Sequence, residues 1–148
     1  MVDAIDRRVI DALIGDGRAS LRTVADHVGV SPTTVATRLD DLDGVVDRVV
    51  PILDYGALGE EIAVVRLRVD GSNREAVTDR LDARPRLLSV YAVTGPTDVI
   101  AVGAFDDRDA IDDARSEIHA IEGVREIEVD VVREVVTAFE QFPVAERA

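Results

Sequence analysis

Val28-Gly29-Val30-Ser31-Pro32-Thr33-Thr34-Val35 decides the reading of the amino-terminal half. Gly29 stops one helix and Ser31 caps the next, with Pro32 at the first helical position, where a missing amide hydrogen is harmless. Upstream, Ser20 caps a helix that buries Leu21, Val24, Ala25 and Val28. Before it, Ile5, Val9, Ala12 and Leu13 recur at helical spacing between Asp3 and Ile14, and Gly15 and Gly17 close the segment. Downstream, Val35, Ala36, Leu39 and Leu42 form the inward stripe of a third helix, which leaves Thr33, Thr34, Thr37, Arg38, Asp40 and Asp41 outside. Helix, tight glycine turn and helix together make a helix-turn-helix.

After Gly44 the period shortens. Val45, Val46, Val49, Val50, Ile52 and Leu53 form a β-rich run broken by Asp47-Arg48 and Pro51, which predicts the hairpin of a winged helix. Residues 54–60 hold Tyr55 and two glycines with little pattern, and are expected to link a domain over 1–53 to one over 61–148.

The second half alternates. Ile62–Val69 reads as a strand with Val65, Leu67 and Val69 on one face and Val64, Arg66 and Arg68 on the other. Ser72 with Glu75 makes a capping box for a short helix through Ala76, Val77 and Leu81. Leu87–Val93 and Asp98–Phe105 are strands joined by the turn Thr94-Gly95-Pro96-Thr97. A helix capped by Asp106 or Asp107 carries Ala110, Ile111, Ala114, Ile118 and Ile121, and stops at Gly123. The last strand runs from Val124 into Val136, with Ile127, Val129 and Val131 inward and Glu126, Glu128 and Asp130 outward. The fold class is therefore α+β, a winged helix-turn-helix followed by a ferredoxin-like β-α-β-β-α-β domain. Helices cover only one face of such a sheet, yet Val99–Phe105 is apolar on both. Either a second copy packs face to face, or the tail with Phe139 and Phe142 folds over it.

Composition narrows the function. The chain has 148 residues and no cysteine, which excludes disulfides, thiolate catalysis and sulfur-ligated metal sites. No apolar stretch approaches the roughly 20 residues a bilayer requires, and no basic segment precedes an apolar one at the start, so a cytoplasmic protein is expected. Thirty acidic residues against 17 basic ones give a net charge of −13, and every base is arginine. This aspartate-rich, lysine-free balance resembles that of proteins from salt-loving archaea. A Debye length of about 3 Å at 1 M salt would remove most of the self-repulsion. Even residues 1–50 carry six arginines against nine aspartates, so nonspecific attraction to phosphate is weak and binding must come from contacts, shape and multivalency.

The segments Asp3-Ala4-Ile5-Asp6-Arg7-Arg8-Val9-Ile10-Asp11-Ala12-Leu13, Asp16-Gly17-Arg18, Val28–Val35, Arg38-Leu39 and Gly44-Val45-Val46 resemble the Lrp/AsnC, or feast/famine, transcription regulators. Val93-Thr94-Gly95-Pro96-Thr97-Asp98-Val99 matches the Gly-x-x-Asp turn of that family's amino-acid-sensing domain, so the likeness covers nearly the whole chain. The resemblance implies a DNA-binding homodimer, or a ring of dimers such as an octamer, modulated by a small effector, usually an amino acid. It implies no cofactor and no membrane partner.

A helix-turn-helix lays the start of its second helix against base edges of double-stranded DNA, which here means Ser31, Thr33, Thr34, Thr37 and Arg38. Arg38 alone among these can contact guanine bidentately, while Ser31 also serves as a cap. Arg22 and Arg48 are candidate phosphate contacts. The effector positions that the resemblance implies are Gly95 and Asp98, with Thr94 and Thr97 beside them. Gly-Pro-Thr-Asp is also an ordinary hairpin turn. Family members that bind amino acids often carry Thr-Ser where this chain has Val129-Asp130, so Asp130 adds a carboxylate and favours a cationic ligand or none. His27 and His119 have no metal-ligating spacing, and no phosphate loop, Ser-His-Asp order or dinucleotide fingerprint appears. The alternatives that remain are a sirohaem decarboxylase-like enzyme, which shares the two-domain plan, and a DNA-free metabolite sensor that pairs with related regulators.

Overall fold

Each amino-terminal helix opens on the cap its sequence offers. In the computed structural model, which describes residues 1–145, α1 (Ala4–Gly15) starts at a reciprocal box. The Asp3 carboxylate accepts from the N–H of Ile5 at 2.8 Å and of Asp6 at 2.9 Å, and the Asp6 carboxylate accepts from the N–H of Asp3 at 2.8 Å. The Asp6 N–H, then the Arg38 guanidinium and the Ile5 N–H, hold the Asp3 carboxyl below its ordinary value. Ser20 caps α2 (Leu21–Val28), which ends at Gly29 with φ +81°, a left-handed turn that glycine adopts without penalty. Ser31 caps α3 (Pro32–Asp41) two residues later. Val9, Val24, Ala25, Val28 and Val35 are buried together between the three helices.

Residues 45–53 form no strand, so the expected hairpin wing is absent from this chain. Pro51 lacks a ladder donor and no second strand lies beside the run, leaving Val45, Val49, Val50, Ile52 and Leu53 exposed. Residues 55–59 form a turn, closed by the Glu60 N–H on the Tyr55 carbonyl at 2.9 Å.

Four strands, β1 (Glu61–Val69), β2 (Leu87–Ala92), β3 (Val99–Phe105) and β4 (Val124–Val131), form one antiparallel sheet in the order β2-β3-β1-β4. With α4 (Arg74–Asp82) and α5 (Arg108–His119) this is the expected β-α-β-β-α-β unit. Val65, Leu67, Val69, Val99 and Ala101 face Val77, Leu81 and Ile118 of the helices, and Ala63 and Phe105 meet Ile111 and Ala114. Asp107 is the side chain that caps α5, accepting from the Ala110 N–H at 2.8 Å.

Two local expectations fail. Ser72 does not cap α4: its hydroxyl donates to the Asn73 side chain, and a 3-10 turn at Gly71–Asn73 precedes the helix. β4 stops at Val131 rather than running into Val136, and the Val132 N–H makes a last bond to the Ile62 carbonyl at 2.8 Å. The chain forms two compact units, Leu53–Val136 and Met1–Ile52, and the segment from Thr137 groups with the latter. There the Asp11 carboxylate accepts from the N–H groups of Val144 and Ala145 at 2.7 and 2.9 Å, and Arg7 donates to the Val144 carbonyl at 3.3 Å. Phe139 and Phe142 stay exposed, so the tail expected as one possible cover for the sheet belongs with the helical unit.

Gly123 sits at φ +95° at the mouth of β4, where an added Cβ would fall 2.4 Å from the Asn73 Cβ. Gly123→Ala is expected to cost about 2 kcal/mol or more, read as a lowered urea midpoint in molar KCl. For Asp3, a lowered folded-state pKa means stabilisation that is complete above its unfolded value of about 3.9 and is lost as pH falls through the folded one. Between about pH 5 and 2 the melting temperature of wild type should therefore fall more steeply than that of Asp3→Asn.

Candidate functional site

The second helix of the helix-turn-helix presents a mixed surface. Ser31 accepts from the Thr34 N–H at 3.1 Å, and its hydroxyl also meets that of Thr34 at 2.8 Å, so both are engaged in capping. One turn on, the Thr37 hydroxyl donates to the Thr33 carbonyl at 3.1 Å. The Thr33 side chain is exposed and carries no hydrogen bond within the described residues. Arg22, in the first turn of α2, is likewise exposed and unpaired there. Arg48 is three-quarters exposed and, among the described residues, pairs with its neighbour Asp47 at 3.1 Å.

Arg38 does not extend outward as expected. It occupies the last turn of α3 and turns back to α1, where one guanidinium nitrogen lies 2.5 Å from Asp3 and 3.1 Å from Asp6. The hydrogen bond to Asp3, followed by the charges of Asp3 and Asp6, raises the Arg38 pKa above its already high ordinary value. Asp6 is 5% exposed and the one charged residue buried among those described. That nitrogen is committed to α1, so the tip of Arg38 is anchored at the start of α1 rather than extended toward a base edge. Periodicity placed Arg38 outside the core, but it could not show that two carboxylates 32 and 35 residues earlier converge on it.

The second candidate site is the turn between β2 and β3. Gly95 has φ +126°, and Thr94 and Gly95 are exposed with Thr97 half-buried. Asp98 is occupied: one oxygen accepts from the Val69 N–H at 2.9 Å and the other meets Arg74 at 3.3 Å. Its backbone closes the turn on both sides, donating to the Leu67 carbonyl and accepting from the Val93 N–H. Arg68 donates to the Pro96 carbonyl at 2.8 Å. Arg68 and Arg74 are thus turn partners that the motif alone did not reveal. Asp130 is not brought to this turn. It pairs across β1 with Val64, whereas the row leading to the turn holds Leu67, three residues or roughly 10 Å further along the strand. Its carboxylate instead faces Arg66 at 2.8 Å. An open groove of about 700 Å³ between α5 and β4, lined by Arg115, His119 and Ile127 among others, contains none of the turn residues.

The face of the sheet away from the helices divides by chemistry. Cross-strand rows Tyr91–Ile100–Arg66–Glu128 and Ser89–Val102–Val64–Asp130 set Tyr91, Ile100, Val102 and Val64 beside the charges of Arg66, Glu128 and Asp130. Tyr91 is exposed, and among the described residues the buried Nε of Arg66 has no acceptor. Among the described residues no group of histidine, aspartate and glutamate could hold a metal, and no helix is long and apolar enough to cross a membrane.

Known proteins share this arrangement. Residues 2–43 match the AsnC-type helix-turn-helix domain, and residues 62–141 match the Lrp/AsnC ligand binding domain. An uncharacterised HTH-type transcriptional regulator of Pyrococcus horikoshii is 28% identical over 138 residues, spanning 91% of this chain and 93% of that protein. The HTH-type transcriptional regulator FL11 of Pyrococcus furiosus is 25% identical over 147 residues, 97% of each chain. Among solved structures, E. coli AsnC superposes with a TM-score of 0.82 at 18% identity, over 95% of this chain and 98% of that one. A Neisseria meningitidis regulator solved as an L-Met complex superposes at 0.81 and 22%, over 93% and 94%. These relatives are DNA-binding regulators rather than enzymes, which sets aside the decarboxylase reading. With both of its domains matched in order, the chain belongs to the Lrp/AsnC family of transcription regulators.

Proposed function

We propose that the chain is a sequence-specific DNA-binding regulator that works in the cytoplasm as a homodimer and responds to a small effector, an amino acid, at its β2–β3 turn. The observation that carries the DNA reading is a capped α3 whose leading turn exposes Ser31, Pro32 and Thr33, flanked by the unpaired Arg22. Thr33 has a free hydroxyl for a base edge, Ser31, Thr34 and Thr37 line the same face, and Arg22 and Arg48 supply phosphate contacts. Arg38 stands apart from this set because Asp3 and Asp6 already hold it.

One feature supports the dimer. The helix-free face of the sheet carries Tyr91, Ile100, Val102 and Val64 together, with Tyr91 exposed. A second copy related by a two-fold axis would meet the same patch. At the turn, Gly95 allows close approach of a ligand, while Asp98 acts through Arg74 and the Val69 N–H. The effector site is proposed to lie between subunits, as the likeness to the family's ligand binding domain implies. The composition fits work in molar salt, where charge repulsion between subunits and toward DNA is screened.

Selection from a randomised duplex library in molar KCl should enrich a motif for the wild type, and failure to enrich any sequence would end the DNA reading. Thr33→Ala should relax preference at one motif position. Arg22→Ala should weaken all sequences alike and reduce the salt slope by about one. Val102→Asp should convert the dimer to monomer in sedimentation velocity; a monomeric wild type, or a dimer indifferent to this change, would remove the sheet face as the interface.

A further inference from the structure

We infer that Arg38 is a positioning residue, and that the clamp it forms with Asp3 and Asp6 sets the angle at which α3 enters the groove. This rests on the DNA reading above. The clamp joins the first turn of α1 to the last turn of α3: Arg38 reaches Asp3 at 2.5 Å and Asp6 at 3.1 Å. Neither carboxylate is free to swing. Asp3 is fixed by the N–H groups of Ile5 and Asp6, and Asp6, 5% exposed, by the N–H of Asp3. The guanidinium is therefore gripped by a capping box that is itself part of a helix end. Val35, with Leu39 beside it and Leu42 at its C-cap, packs α3 onto the helical core, and the clamp adds a polar tie between its last turn and the start of α1. A displacement of a fraction of an ångström at the capped end of α3 moves several base-facing groups together, so the carboxylates of α1 govern selectivity without touching DNA.

The inference separates three roles for Arg38. Wild type, Asp3→Asn, Asp6→Asn, Arg38→Lys, Arg38→Gln and the double variant Asp6→Asn with Arg38→Lys are compared on the selected duplex and on random duplex, across a KCl series and below each variant's melting temperature. For a positioning clamp, each single variant loses about tenfold in the ratio of specific to nonspecific affinity, spread over several motif positions. The double variant is no worse than either single, and the salt slope stays that of wild type. The inference is overturned if Arg38→Lys relaxes one base position while the aspartate variants do not, since Arg38 then reads a base. It is equally overturned if the slope falls by about one in Arg38→Gln, which marks a phosphate contact, or if melting temperatures fall while selectivity is unchanged, which leaves a stability contact alone. Loss of selectivity in the wild type itself would count against the regulator reading instead.

Discussion

Presentation of α3 depends on a small core of branched side chains. Helices of 8 and 10 residues do not persist alone in water, and α2 and α3 exist because Val9, Val24, Ala25, Val28 and Val35 exclude water between them and α1. Caps at Ser20 and Ser31 and the left-handed Gly29 decide where each helix begins and ends, so the core converts to a turn of fixed geometry. Every group proposed to meet DNA is carried on that frame.

Charge is handled by pairing. Seven arginines on the sheet domain face carboxylates, among them Arg66 between Glu128 and Asp130, Arg84 at Glu117, Arg86 bridging Glu60 and Asp106, and Arg108 at Glu61, whereas Arg80, Arg115 and Arg133 have no ion pair among the described residues. Exposed pairs of this kind add little stability each, and less in concentrated salt. Their consequence is local neutralisation, which leaves the chain acidic overall yet keeps most cations from acting as a phosphate-binding surface. Arg22 and Arg18 on the helical unit are exceptions, being exposed and unpaired among the described residues. Recognition through hydroxyls and shape suits a protein whose long-range field repels DNA.

The two faces of the sheet have different tasks. The helix-covered face is a closed hydrocarbon layer centred on Leu67, while the other face sets apolar residues beside an ordered ladder of charges. That division arises because β1 alternates Ala63, Val65 and Leu67 with Val64, Arg66 and Arg68. At one end of the sheet, the turn at Gly95 is held by backbone bonds to Leu67 and Val93 and by Arg68 on Pro96, so a ligand would meet a preformed loop.

The sequence by itself determined the element types and faces, because alternation, helical spacing and caps at Ser20, Ser31 and Asp107 are local signals acting over a few residues. It also pointed to the family, through ordered short motifs in both halves. Where pairing across long separations mattered, it was silent or misleading. A valine-rich run at 45–53 reads as strand, but a strand needs a neighbour and none lies beside it. Asp130 looked available to a ligand until register placed it against Arg66, away from the Gly95 turn. Arg38 looked free on an exposed face until the start of α1 came alongside and claimed it. An ion pair or a strand register is a relation between residues far apart in the chain, and only the tertiary structure decides which distant groups are close enough for Coulomb attraction and hydrogen bonding to act.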